Sequence, residues 1–171
     1  YHATAWSLHV LNVGLVYILV RRFVGSGWAA ALGASLFAFQ AMFDQIYWNF
    51  GTIFELVSTF LFLLALYIHT RFVPSIARTV VIALIVLFAI KAKEMAITLP
   101  LVLILQDLLQ PQKVRRTDRR QVWISFAGLA LPLLICAWYF FWRRADIGTA
   151  GAQDPYYMNF SPKILGESYG W

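Results

Sequence analysis

Three stretches of this chain are apolar on every helical face: VLNVGLVYILV (10–20), LVSTFLFLLALYI (56–68) and TVVIALIVLFAI (79–90). A helix at the surface of a water-soluble protein carries one apolar stripe and a polar back, so these stretches are expected to be buried in lipid or against other spans. With 61% hydrophobic and 13% charged residues among 171, too little polar side chain is present to coat a soluble globule of this size. The expected fold is all-α, a polytopic transmembrane helix bundle.

At 1.5 Å per residue a bilayer crossing needs roughly 20 apolar residues. Segments near 3–20, 28–43, 53–69, 77–92, 95–110 and 122–142 meet or approach this, giving about six spans. Ala30, Ala34 and Ala38 form a small-residue ridge on the second, suited to close helix packing. The stretch 77–110 is too long for one crossing, since about 34 residues of helix measure on the order of 50 Å against a hydrocarbon layer of roughly 30 Å. The polar run Lys91-Ala92-Lys93-Glu94 divides it, and Pro100 adds a second reason against an unbroken helix.

Charge placement agrees with two short spans there. If the spans alternate, Arg21 and Arg22, then Arg71 and Arg78, then Lys113, Arg115, Arg116, Arg119 and Arg120 all fall on one side, which the positive-inside rule makes cytoplasmic. That distribution accounts for the net charge of +6 without a nucleic-acid partner. The chain divides into a transmembrane helical domain, 1–145, and the start of an extracytoplasmic loop or next segment, 146–171. It starts at Tyr1 without a methionine and enters an apolar helix almost at once, so it is expected to be an internal segment of a longer protein. The single cysteine, Cys136, supports neither a disulfide framework nor a cysteine metal site within the chain.

Lys91, Lys93 and Glu94 are the most informative residues, because ionisable groups flanked by apolar runs face a cavity, a partner or an interface. On a helix Lys91 and Glu94 are i,i+3 neighbours able to pair, which turns Lys93 elsewhere, where it could hold a phosphate as a point charge. The plain alternative is a turn whose lysines snorkel to headgroups. Asp44 and Glu55 bracket an aromatic loop with Tyr47, Trp48 and Asn49, which offers carboxylates and stacking surfaces to a sugar, or is simply an interfacial aromatic belt. His9 and Asn12 read as interhelical hydrogen-bonding groups, and Asp107, near the basic loop, as paired there. No nucleotide-binding glycine loop, metalloprotease motif or serine-nucleophile elbow is present.

Several of these elements in order, YHATAWSLHVLNVGLVYILVRR, GASLFAFQ with Trp48 and Gly51 after it, LFLLALYIHTR and KAKEMAITLPLVLILQDLL, resemble the membrane region of polytopic GT-C glycosyltransferases. The likeness is to the protein O-mannosyltransferase-like group that includes the transmembrane and tetratricopeptide repeat proteins, and it covers roughly residues 1–145. The resemblance implies a multi-pass protein of a bacterial inner membrane or the endoplasmic reticulum. Its implied activity is transfer of a sugar from a polyprenyl-phosphate carrier to a hydroxyl of a protein or glycan on the extracytoplasmic face. It assigns donor phosphate contact to Lys93 or Lys91, orientation to Glu94, and acceptor or sugar binding to Asp44, Trp48, Asn49 and Glu55. The acidic catalytic loop is expected upstream of Tyr1. No cofactor or metal ligand is identified, although a divalent metal ion is compatible with such chemistry. Two other classes stay open: a transporter or lipid flippase segment, which would also use broken helices and embedded charge, and a noncatalytic membrane scaffold.

Overall fold

The computed structural model describes the backbone of residues 2–39, 51–109 and 119–149, and side chains over 2–39, 51–108 and 127–142. Among them the structure is all-helical: α1 (His2–Val24), α2 (Gly27–Ala38), α3 (Thr52–Arg71), α4 (Ile76–Ala92), a 3₁₀ turn (Glu94–Thr98), α5 (Leu99–Leu109) and α6 (Arg119–Thr149). The chain forms two compact units, Tyr1–Cys136 and Ala137–Trp171. Within the second, Trp138 stacks on Trp142 with ring centroids 6.2 Å apart.

Local chemistry explains the helix limits. Gly25 adopts φ +76, a left-handed conformation that a glycine enters without steric cost, and its N–H donates to the Arg21 carbonyl to close α1. Ser26 then caps α2 by accepting from the Ala29 N–H, and Ser75 caps α4 by accepting from the Arg78 N–H.

The expected division of 77–110 is present, and its cause is visible. Helix α4 ends at Ala92, Lys93 is extended with φ −153 and ψ 132, and the chain passes through the 3₁₀ turn into α5. Pro100 is not the break. It lies in the first turn of α5, where its missing N–H would have had no helical partner.

Side-chain bonds fix the helix directions in the first unit. His9 Nε2 meets the Ala38 carbonyl at 3.3 Å, joining the start of α1 to the end of α2, so these two run antiparallel. Asn12 Nδ2 donates to the Leu56 carbonyl at 3.1 Å near the starts of α1 and α3, and an Arg22 guanidinium N–H donates to the Thr70 carbonyl at 2.7 Å near their ends; α1 and α3 are parallel. Ser58 donates to the Ala89 carbonyl at 3.3 Å, which makes α4 antiparallel to α3. The roles read for His9 and Asn12 are thus the ones they fill. The small-residue ridge of α2 is likewise packed, with Ala30 and Ala34 buried.

The core lies between α1, α3, α4 and α5. Ala5 packs with Leu56 and the partly buried Leu8. Ile82, Val86, Ala89 and Ile90 turn one face of α4 inward, and Leu99 and Leu103 do the same for α5. The opposite faces are apolar as well: Val81, Leu84 and Phe88 on α4, Leu101, Leu105 and Leu108 on α5, and Leu32 and Leu36 on α2 are all exposed. Helices α1 and α3 are long and apolar enough to cross a membrane.

Close approach also governs α6, where a Cβ built on Gly128 would stand 2.5 Å from Thr79 Oγ1 of α4. Pro132, buried inside α6, lacks the N–H that the Gly128 carbonyl would otherwise receive.

Candidate functional site

Helix α3 carries an ionic contact at each end. At its first turn Glu55 Oε1 accepts from Lys93 Nζ at 2.8 Å, the two side chains being 43% and 44% exposed. Each charge suits its place on the backbone. A carboxylate in the first turn of α3 meets the positive end of that helix dipole, and an ammonium just beyond the last residue of α4 meets a negative one. The hydrogen bond that Lys93 donates to Glu55, then the Glu55 charge, raise the Lys93 pKa above its ordinary 10.5; slight desolvation opposes this and Glu94 adds to it. Lys93 is therefore an ammonium at neutral pH. It has three N–H donors, of which this carboxylate oxygen takes one.

Lys91 and Glu94 do not share the continuous helix on which they would be i,i+3 neighbours. The extended Lys93 interrupts it, so the two side chains leave the backbone on different elements. What the interruption does instead is direct Lys93 to the neighbouring helix. Glu55, expected to serve a sugar or acceptor, is the partner of the residue expected to bind phosphate. Asp44, Trp48 and Asn49 lie outside the described residues.

At the other end of α3, His69 Nε2 meets Asp107 Oδ1 of α5 at 2.8 Å, with side-chain exposures of 1% and 18%. If the imidazole is neutral, the nitrogen facing the carboxylate carries the proton, which makes Nδ1 a buried acceptor. The Arg78 guanidinium donates to the carbonyls of His69 and Phe72 at 3.2 and 3.1 Å, closing the C-terminus of α3. Asp107, expected to pair at the basic loop, meets His69 of α3 instead, a residue the sequence reading did not single out. The available signal was an imidazole and a carboxylate each placed near the basic end of an apolar segment.

Arg21, Arg22, Arg71 and Arg78 gather at this end, away from Glu55 and Lys93. The basic residues from 113 to 116 lie outside the described residues. No cluster of three or more His, Cys, Asp or Glu able to hold a metal ion occurs among the described residues.

No known protein family, curated protein or solved structure matches the chain.

Proposed function

We propose that the chain is part of a multi-pass membrane glycosyltransferase of GT-C type that uses a polyprenyl-phosphate-linked sugar. Support for a lipid environment comes from surface chemistry. Only 22% of the apolar window of α1 and 28% of that of α3 is buried, whereas the core helix of a soluble protein would be mostly enclosed. The apolar outer faces of α2, α4 and α5 add to this, and the segregation of arginines to one end supports the about six alternating crossings of the reading.

The observation that carries the enzymatic reading is Lys93 itself: a charged ammonium, exposed at a helix break and held by a carboxylate from the next helix. In sugar transfer the acceptor oxygen bonds to the anomeric carbon and gives its proton to a base, while the bond from that carbon to the phosphate oxygen breaks and its electron pair leaves with the carrier phosphate. A fixed cation at the phosphate offsets the charge that develops there. In this reading Lys93 contacts the donor phosphate, Lys91 stands second, and Glu55 positions Lys93 while Glu94 tunes its charge. No residue of this chain is assigned as the base.

The test is donor-dependent transfer by the full-length protein in membranes, using a labelled polyprenyl-phosphate sugar. Lys93→Ala is expected to lower transfer on the order of 100-fold at unchanged expression, the scale of losing one charge-stabilising donor. Transfer equal to wild type would reduce Lys93 to a snorkelling anchor and remove the basis of this reading.

One observation favours a transporter instead. The buried His69–Asp107 contact between two apolar helices is the kind of embedded pair that carries protons in transport proteins. Proton-coupled solute flux in proteoliposomes that Asp107→Asn abolishes, with no sugar transfer in the same preparation, would select it.

A further inference from the structure

The C-terminus of α3 is closed by arginines from two other helices. Arg22 of α1 donates to the Thr70 carbonyl at 2.7 Å, and Arg78 of α4 donates to the carbonyls of His69 and Phe72. These bonds bring the exposed Arg22 beside Arg71, which is exposed as well, and Arg21 precedes Arg22 in the last turn of α1. Of the four guanidinium groups only Arg78 is buried, where it donates to backbone carbonyls and also feels the charge of Asp107. The described carboxylate tied to this end, Asp107, is engaged by His69. The end therefore carries a clear excess of positive charge.

Among the described residues, the same end also carries exposed apolar side chains. Val24 and Trp28 flank the turn between α1 and α2, with Trp28 89% exposed, and Phe72, Val73 and Ile76 project from the turn between α3 and α4. Exposed guanidinium groups next to exposed tryptophan and aliphatic side chains are what a bilayer interface accommodates: rings and aliphatic groups enter the acyl boundary while the cations reach phosphate level.

We propose that Arg21, Arg22 and Arg71 form a headgroup site for anionic phospholipid at this end of the bundle. The charge argues for the lipid class, since a zwitterionic headgroup would bring no net charge to offset the arginines. Guanidinium forks also suit phosphate oxygens, which they can bind through two parallel N–H bonds. The site rests on the membrane reading above but not on the enzymatic one, and it lies at the opposite end of α3 from Lys93.

The experiment reconstitutes the full chain into nanodiscs of phosphatidylcholine alone or with phosphatidylglycerol, and counts retained lipid by native mass spectrometry. Wild type is expected to retain phosphatidylglycerol preferentially. Because Arg22 also holds Thr70, the test variant is Arg21→Gln with Arg71→Gln, which keeps that bond; it should lower the preference on the order of 30-fold, as for two lost surface cations. Arg21→Lys with Arg71→Lys should keep most of it. Equal retention of both lipids by wild type, or an undiminished preference in the glutamine pair, overturns the site while leaving the membrane reading intact. Displacement of the bound lipid by inorganic phosphate at millimolar concentration identifies a soluble-anion site and overturns it too. Failure to insert into either bilayer overturns the membrane reading and the site together.

Discussion

Lys93 and Glu55 lie 38 residues apart in sequence and 2.8 Å apart in space, and His69 and Asp107 repeat both numbers at the far end of α3. The agreement follows from topology. The chain runs along α3, back along α4, turns at Lys93 and runs forward along α5, so the two ends of the segment 93–107 meet the two ends of one helix.

The Lys93 contact gives a pH dependence with a definite sign. Its folded pKa is raised, so the stabilisation is fully present below the ordinary value of 10.5 and is lost as pH rises through the higher folded value. The Tm difference between wild type and Lys93→Met, small because the pair is exposed, is expected to be constant from about pH 7 to pH 10 and to shrink only above that. A difference that disappears between pH 7 and 9 would show that the ammonium is not held as described.

The His69–Asp107 pair, with its imidazole buried and its carboxylate partly so, should be worth more. Asp107→Ala leaves the His69 imidazole without its carboxylate and is expected to cost about 1–2 kcal/mol in detergent unfolding, with Asp107→Asn, which keeps an acceptor oxygen, costing less. The double variant with His69→Leu should recover part of the loss, because an apolar pair leaves no buried polar group behind.

Gly128 and Thr79 form a steric pair. Gly128→Ala places a methyl 2.5 Å from Thr79 Oγ1, too close for both to keep their places, and is expected to destabilise by about 1–3 kcal/mol, measured as a fall in Tm. Thr79→Ala introduced on that background removes the obstructing oxygen and should restore much of the stability, a coupling that two independent sites would not show.

Gly25 gives the fourth. At φ +76 an added Cβ is strained although nothing lies within 4 Å of it, so Gly25→Ala should cost about 1–2 kcal/mol and Gly25→Asn less. Equal effects of the two would point to packing rather than backbone conformation.

Much of the helix order was legible because it depends on local chemistry. The apolar runs marked the helices, and Lys91 to Glu94 located the break within a few residues, since a charged cluster inside an apolar stretch has few places to go. His9 and Asn12 were legible as interhelical donors for the same reason: a polar group in an apolar span must find a partner. The partner of Lys93 was not legible. Glu55 belongs to another helix, and the only pairing rule available in sequence, i,i+3 helical spacing, pointed to Lys91 and Glu94 across a residue that turns out to be extended. His69 was overlooked because one histidine in an apolar span carries no mark until Asp107 is brought beside it by two reversals of the chain.

Fastening both ends of segment 93–107 to α3 has a mechanical consequence. Were α3 to slide by one turn, about 5.4 Å, relative to segment 93–107, both contacts would break together, because both lie between the same two partners. A load applied at the exposed Lys93 is thus borne jointly by a surface bond and a buried one some 21 Å away, 14 residues along the same rod. Sliding in either direction therefore works against both contacts at once, and loss of one leaves the register of α3 to the other.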